Sequence, residues 1–205
     1  MVSAEGAFGS VYVAQLTPNF RVAVKVMKDE VTVNSQYREQ FQNEVQLLQS
    51  CRHPHVLSLL GHCLDGPSPC LVYEYKSRGS LRGLLSARHE ALSFTRRLTM
   101  LQQIASGLEY MHVVSQPPVI HRDIKTLNIL VDDYWNCSIG DFGIARLSSE
   151  AGSAASGSGR STRVLGTPGY IDPEYVQSGE WTCHIYMFCC READSVLLVY
   201  TYMLV

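Results

Sequence analysis

The sequence predicts a two-lobed α+β fold, in which a small, mostly antiparallel sheet is followed by a helical lobe. Residues 1–80 alternate short apolar strands with one helical pattern, which is typical of an antiparallel sheet that carries a single helix. Residues 94–112 then repeat apolar side chains at helical spacing, as in the core helix of an α-rich lobe. We place the lobes at about 1–80 and 81–182, and treat 183–205 as an unrelated tail.

The composition describes an ordinary globular protein. The chain has 205 residues, a formal net charge of −2 and 46% hydrophobic residues, enough for one domain or two small lobes with a real core. The near-neutral charge gives no electrostatic case for a nucleic-acid partner. The seven cysteines are odd in number and form no CxxC pair, which favours reduced, mostly buried thiols in a cytosolic protein.

The first lobe opens with a glycine-rich stretch, Glu5–Tyr12 (EGAFGSVY). Gly6 and Gly9 would let backbone N–H groups approach phosphate oxygens, although a plain hairpin turn has the same composition. The sequence leaves almost no room for a strand before this stretch. Two strands, Ser10–Leu16 and Arg21–Met27, are expected to follow.

The helix predicted at Gln36–Gln49, with Ser35 as its N-cap, carries one acid in an unexpected place. Glu44 lies within the apolar face, where a carboxylate costs several kcal/mol unless it is paired. A solvated edge position is the alternative. Further strands are expected at Val56–Gly61 and Leu71–Tyr75.

The densest polar pattern is the stretch 119–143, VIHRDIKTLNILVDDYWNCSIGDFG. Asp123 could accept a proton from a target hydroxyl, and Lys125 could offset charge on a transferred phosphoryl group. Asn128 and Asp141 offer the oxygen ligands that magnesium prefers. The alternative is a loop that is polar without a function.

These motifs resemble the protein-kinase signature of His-Arg-Asp, a following Asn, and Asp-Phe-Gly. The stretches PPVIHRDIKTLNILVD, DFGIAR and GTPGYIDPEY are similar to the plant receptor-like and interleukin-receptor-associated (Pelle-like) serine/threonine kinases. Lys125, two residues after Asp123, matches the serine/threonine type of catalytic loop. The resemblance implies a two-lobed kinase fold that uses ATP and Mg²⁺.

The resemblance also implies a role for each matching residue. Asp123 would orient the target hydroxyl, and Lys125 would steady the γ-phosphate. Asn128 and Asp141 would bind Mg²⁺. The nucleotide would contact the following residues: Gly6 and Gly9 at the phosphates, Lys25 at the α- and β-phosphates with Glu44 as its ion-pair partner, Val11 and Ala23 above the adenine, Leu130 below it, and the backbone of Glu74 and Tyr75 beside it. Tyr73 would lie at the back of the pocket, and a stacked column through both lobes would contain Leu48, Leu59, His121 and Phe142.

The segment 148–161 is of low complexity, SSEAGSAASGSGRS, and cannot bury enough apolar area to fold alone. Ser161 and Thr162 are candidate phosphorylation sites because phosphate there could pair with Arg122. The serines before Ser161 are interpreted as a passive linker. Thr167 matches the threonine that faces the substrate hydroxyl.

The resemblance ends at Thr182, so we expect a C-terminally truncated kinase domain that is marginally stable and poorly active. Val196–Val205 is apolar but half the length of a ~20-residue membrane span. The function expected is phosphoryl transfer to Ser/Thr of a protein substrate, downstream of a receptor or an upstream kinase. The location expected is the cytoplasm, at the inner face of the plasma membrane if a partner or a preceding region brings it there. The alternative is a nucleotide-binding or interaction module with little or no activity.

Overall fold

The computed structural model describes residues 2–5, 9–27, 35–65, 68–87, 92–147, 164–171, 173–178, 185–192 and 195–202. A five-stranded antiparallel sheet in the order β1-β2-β3-β5-β4 forms the first lobe. Its strands are β1 Val2–Glu5, β2 Gly9–Thr17, β3 Phe20–Met27, β4 Leu59–Cys63 and β5 Cys70–Glu74. Pro18 and Asn19 form the turn between β2 and β3. The predicted antiparallel sheet is therefore confirmed.

The expectation of almost no strand before the glycine stretch is wrong. Residues Val2–Glu5 form β1 and pair with β2, with Glu5 opposite Ser10. Four residues suffice because an edge strand needs a hydrogen-bonded partner on one side only.

The strand predicted at Val56–Gly61 begins later than expected, at Leu59. Val56 instead forms an isolated parallel bridge with Ile139 of the second lobe. The Leu57 N–H donates to the Ile139 carbonyl at 2.8 Å, and the Ile139 N–H donates to the His55 carbonyl at 2.9 Å. Residues 55–57 therefore use their backbone groups to join the two lobes rather than to extend the sheet.

Helix α1 spans Ser35–Ser50, one residue longer at each end than predicted. Its apolar side is buried against the sheet, with Phe41, Leu47 and Leu48 at 1–3% exposure. Glu44 lies in the same face and is 1% exposed, so the solvated edge position is excluded. Ser35 is the first helical residue, and its side chain lies outside the described part of the chain.

The second lobe combines helices with short strand pairs. Its elements are β6 Gly79–Ser80, α2 Leu81–Ser86, α3 Phe94–Glu109, β7 Val119–Ile120, β8 Ile129–Val131, β9 Cys137–Ile139, β10 Arg146–Leu147 and α4 Pro173–Ser178. Ser80 caps α2 by accepting the Gly83 N–H at 3.2 Å, and Ser93 caps α3 by accepting the Arg96 N–H at 3.3 Å. These hydroxyls pair backbone donors that a helix start leaves unsatisfied.

Helix α3 ends at Glu109 rather than His112, and a π-helical turn continues over Tyr110–Val114. Met100, Ile104 and Leu108 face the core at 1–2% exposure, whereas Leu98 is 46% exposed. The helical spacing of apolar residues in 94–112 also assigns Leu98 to the core face, and this prediction is wrong. Leu98 lies two residues before Met100, which places it about 200° around the helix axis.

A further hairpin is formed in the tail by β11 Ile185–Glu192 and β12 Ser195–Tyr202, with Arg191 opposite Val196. Residues 195–202, which hold most of the apolar stretch at the end of the chain, are therefore extended. Among the helices in the described ranges, none combines the length and the apolar content needed to cross a bilayer.

Cys51, Cys63, Cys70 and Cys137 are free thiols. Cys51 and Cys137 are buried, Cys70 is half-buried and Cys63 is exposed, so the expectation of mostly buried thiols holds for only some of them. Burial, assisted by Asp132, raises the pKa of the Cys137 thiol to about 12.

Two helical glycines should respond in opposite directions to replacement by alanine. A Cβ at Gly107 would lie 2.8 Å from the His55 carbonyl and 3.0 Å from Ile139, whereas one at Gly83 meets only the Ser80 hydroxyl at 3.6 Å. Helix propensity favours alanine by about 1 kcal/mol, but overpacking costs about 1–3 kcal/mol. We expect Gly107→Ala to lower the free energy of unfolding and Gly83→Ala to raise or preserve it in urea titrations. A stabilising Gly107→Ala would contradict this packing.

Candidate active site

The β8–β9 hairpin brings Asn128 and Asp141 to the same end of the two strands. Ile129 pairs with Ile139, so the residues just outside the pair are adjacent. The Gly140 N–H donates to the Asn128 carbonyl at 2.8 Å, and a 3₁₀ turn at Thr126–Asn128 fixes Asn128 from the other side. One hairpin thus brings two oxygen-bearing side chains to the same end of the two strands, although they are distant in sequence.

Asp123 is the centre of a polar network in the loop before β8. Its Oδ2 accepts from Lys125 Nζ at 2.6 Å and from Asn128 Nδ2 at 3.2 Å. Its Oδ1 accepts from the Thr167 hydroxyl at 2.5 Å, and the same hydroxyl accepts from Lys125 Nζ at 2.7 Å. The predicted Asp123, Lys125 and Asn128 therefore lie together, and Thr167 joins them.

The His121 ring joins the loop of Asp123 to the residue that follows β9. Its Nδ1 accepts the Asp123 N–H at 3.2 Å, which requires the proton on Nε2, and Nε2 then donates to the Gly140 carbonyl at 3.0 Å. Burial lowers the pKa of His121, which keeps the ring neutral in this tautomer. The ring also meets Phe142 edge-on with centroids 4.7 Å apart, so one contact of the expected column through both lobes is present.

A buried charge cluster joins the sheet, α1 and the segment after β9. Lys25 Nζ lies 3.1 Å from Glu44 Oε2 and 3.3 Å from Asp141 Oδ1. Glu44 Oε1 also accepts the Tyr73 hydroxyl at 2.7 Å and the Phe142 N–H at 3.3 Å. The buried carboxylate is therefore fully paired, as its position in the apolar face requires.

The cluster shifts the ionisation of its members. Burial alone would lower the pKa of Lys25, but the Glu44 and Asp141 carboxylates outweigh burial and raise it. Lys25 lowers the pKa of Asp141 and outweighs the partial desolvation of that half-buried carboxyl. Burial and the Glu44 carboxylate raise the pKa of Tyr73 well above its ordinary value. At neutral pH the site therefore holds an ammonium ion, an ionised Asp141 and a neutral phenol.

A cavity of about 330 Å³ lies between these groups. Six of the residues named above line it: Lys25, Glu44, Asp123, Lys125, Asp141 and Thr167. Acids, cations and a hydroxyl thus converge on one space.

The residues expected around an adenine lie on both sides of the link between the lobes. Val11, Ala23 and Leu130 are half-buried and are not among the residues that line the cavity. The Glu74 N–H already donates to the Ser58 carbonyl at 3.1 Å, so a backbone contact from Glu74 to a ligand would need its carbonyl. The Tyr75 ring stacks under Arg21 at 4.7 Å.

Gly9 is required by local sterics. A Cβ at this position would come within 2.2 Å of the Val26 carbonyl oxygen, so a larger residue would force β2 away from β3. Gly6 lies outside the described residues, as do the candidate phosphorylation sites Ser161 and Thr162.

The His53-Pro54-His55 stretch forms a turn, in which the Val56 N–H donates to the His53 carbonyl at 3.1 Å. The His53 ring stacks on Tyr110 at 5.0 Å, and the His55 ring is bonded to the Cys137 carbonyl at 2.9 Å. No group of three or more potential His, Cys, Asp or Glu ligands occurs in the described part of the chain.

Comparison with known proteins agrees with this geometry. The family model described as protein tyrosine and serine/threonine kinase matches residues 3–192. The chain belongs to this family. The match extends ten residues beyond Thr182, so the boundary proposed there stays a prediction.

Relatives of this kinase domain occur among plant receptor-like kinases. It is 42% identical over 176 residues to a probable LRR receptor-like serine/threonine-protein kinase of Arabidopsis thaliana, covering 85% of this chain and 19% of the relative. It is 41% identical to calcium/calmodulin-regulated receptor-like kinase 1 of the same plant, with 87% and 38% covered. It is 38% identical to the probable serine/threonine-protein kinase PBL21 of Arabidopsis thaliana, with 90% and 48% covered. The chain therefore spans less than half of each relative, and it is a serine/threonine kinase by resemblance.

Sequence reasoning missed a polar residue that binds the backbone beside the cavity. Asn43, the neighbour of Glu44 on α1, donates to the carbonyls of Phe142, Gly143 and Ala145. The only signal in the sequence was an amide beside a buried acid on one helix.

The stability of this kinase domain should depend on pH between about 4 and 6.5 through buried histidines. Burial, assisted by His121, lowers the pKa of His112 from 6.5 to about 4. The unfolded chain therefore binds more protons in this window, so the free energy of unfolding rises with pH by up to about 1.4 kcal/mol per unit for each such group. We expect His112→Leu to show a shallower decline than the wild type when urea titrations are repeated from pH 7 down to pH 4.5.

Met111→Leu is the matched control, because Met111 is a fully buried neighbour without a titratable group. This variant should shift the free energy of unfolding equally at every pH. If His112→Leu shows the same pH slope as this control, the buried histidine does not cause the acid sensitivity.

Proposed function

We propose that this chain transfers the γ-phosphoryl group of ATP to a serine or threonine of a protein substrate, with Mg²⁺ as cofactor. The observation that carries the proposal is the Thr167 hydroxyl, which donates to Asp123 at 2.5 Å and accepts from Lys125 at 2.7 Å. A carboxylate and an ammonium group that hold one hydroxyl in this way have the geometry to orient another. Asp123 and Lys125 are accordingly proposed as catalytic residues.

The oxygen atoms beside this network fit a magnesium ion. Asn128 directs its amide nitrogen to Asp123, which leaves the amide oxygen without a hydrogen-bond partner among the described residues. Asp141 is ionised and uses Oδ1 to pair with Lys25. An amide oxygen and a carboxylate are hard ligands of the kind that Mg²⁺ prefers, so Asn128 and Asp141 are proposed to hold it.

The residues of the chain would orient the reactants and offset charge. Bound Mg²⁺ would neutralise phosphate charge that develops during transfer. Asp123 would accept the proton of the substrate hydroxyl, and Lys125 would stabilise negative charge on the transferred group. Lys25, fixed by Glu44 at 3.1 Å, would contact the α- and β-phosphates, and the backbone N–H groups of Gly6 and Gly9 are proposed to bind phosphate oxygens.

The adenine is proposed to lie between Val11 and Ala23 on one side and Leu130 on the other, beside the backbone of Glu74 and Tyr75. Val11 is opposite Lys25 in the β2–β3 register, and Ala23 is opposite Tyr73 in the β3–β5 register. These positions continue the sheet face that carries Lys25, which supports a nucleotide with its phosphates at the charge cluster.

Receptor-like kinase signalling is the proposed context, because the names of several similar plant proteins describe receptor-like kinases. The partners proposed are a protein substrate with Ser or Thr and a receptor or an upstream kinase. The proposed location is the cytoplasm or the inner face of the plasma membrane.

Replacement of Asp123 by Asn should abolish most phosphoryl transfer. A positioned general base contributes about 10²–10⁴-fold, so a loss in kcat of this size is expected in an assay with radiolabelled ATP and a protein substrate. Asp133→Asn is the control, because Asp133 is an exposed acid of the nearby turn and should leave kcat unchanged.

Two other results would count against the proposed activity. Phosphotyrosine as the only product would contradict the serine/threonine assignment. Nucleotide binding without turnover in the wild type would favour an interaction module instead.

A further inference from the structure

The Asn43 side chain binds the backbone that follows Asp141. Its Nδ2 lies 2.7 Å from the Ala145 carbonyl oxygen, 3.3 Å from that of Phe142 and 3.5 Å from that of Gly143. An amide nitrogen carries two N–H donors, so the Ala145 carbonyl takes the strongest bond and the other two carbonyls share the second donor. One side chain of α1 thus binds three peptide groups of another segment.

The residues beside Asn43 complete this attachment. Glu44 Oε1 accepts the Phe142 N–H at 3.3 Å, so consecutive residues of α1 bind both the N–H and the carbonyl of Phe142. Arg122 Nε donates to the Ile144 carbonyl at 2.6 Å. Every backbone carbonyl of residues 142–145 is therefore bound by a side chain, either from α1 or from the loop of Asp123.

The backbone conformation of Asp141 explains why residues 142–145 need so many hydrogen bonds. Asp141 has φ 66°, a left-handed conformation that a non-glycine residue adopts at an energetic cost and keeps only where surrounding contacts impose it. Glu44 holds the peptide that follows Asp141 through the Phe142 N–H, and Asn43 holds the next peptide through the Phe142 carbonyl. If these two peptides were released, Asp141 could relax to an ordinary φ, which would turn its carboxylate away from Lys25.

We propose that Asn43 is a positioning residue, which holds residues 142–145 so that the Asp141 carboxylate points to the magnesium site. This inference rests on the proposed function, because it assigns Asn43 to the support of a proposed metal ligand. Residues that orient metal ligands typically change metal affinity when they are replaced. A residue that only stabilises the fold would instead weaken nucleotide binding equally with and without metal.

The test measures ADP affinity by titration calorimetry in the presence and absence of Mg²⁺, on the full chain. The wild type should bind ADP more tightly with Mg²⁺. Asn43→Leu removes the donors at similar size, and Asn43→Asp removes them and adds a charge. Both should reduce the Mg²⁺-dependent gain in affinity about ten- to a hundredfold and leave metal-free affinity unchanged.

Two further variants separate the effect from general damage to α1. Gln42→Glu makes the amide-to-acid change at an exposed position of the same helix and should keep the full Mg²⁺-dependent gain. Asn43→Gln keeps the donors on a longer side chain and should restore part of it. Hydrogen exchange of the amides of residues 142–145 should be faster in Asn43→Leu and unchanged in Gln42→Glu.

The outcomes distinguish the inference from the proposed function. If the wild type shows the Mg²⁺-dependent gain and Asn43→Leu and Asn43→Asp keep it, Asn43 does not position Asp141. Unchanged hydrogen exchange at residues 142–145 in the folded variants would overturn the inference as well. If the wild type itself binds ADP no more tightly with Mg²⁺, the proposed metal site fails and the role of Asn43 fails with it.

Discussion

The interaction on which the rest of the structure depends is the pairing of the buried Glu44 carboxylate. At 1% exposure, this group would cost several kcal/mol if it were unpaired. Its partners come from three different parts of the fold: Lys25 from β3, the Tyr73 hydroxyl from β5, and the Phe142 N–H from the segment after β9. One charge on α1 therefore fixes the helix to the sheet and joins the sheet to the second lobe.

This pairing also determines the chemistry that the cavity can support. Lys25 stays charged because two carboxylates outweigh the effect of its burial, and Asp141 stays ionised because Lys25 lies 3.3 Å away. Charges held in a fixed arrangement need little reorganisation when a reaction develops new charge. Asp141 keeps its left-handed backbone in the same region, so part of the energy of the surrounding contacts is used to hold a functional conformation.

The sequence was sufficient for the elements and residues with a strong local pattern. The strand pattern of β3, the apolar face of α1 and the spacing of Asp123, Lys125 and Asn128 led to the sheet, the helix and the polar network that the structure contains. The short motifs carried most of this information, because their chemistry requires particular residue types at fixed intervals.

Features that depend on packing between distant segments could not be read in this way. Val56 has the composition of a strand residue, but its bridge is to Ile139 of the second lobe. The exposure of Leu98 depends on which side of α3 meets the core, and a wide apolar face does not specify that. Asn43 was missed because its three acceptors are backbone carbonyls, which leave no trace in side-chain composition.

The backbone bonds between residues 55–57 and Ile139 have a mechanical consequence for α1. They fix the segment that follows the helix to the second lobe, so a rotation of α1 would have its pivot near the C-terminal end of the helix. Glu44 is six residues from Ser50, about 9 Å from that pivot at 1.5 Å per residue, whereas Ser35 is more than twice as far away. A given rotation therefore displaces Glu44 much less than the start of the helix. The Lys25–Glu44 ion pair lies close to the pivot, so a small rotation of α1 changes the distance between the two charges only slightly.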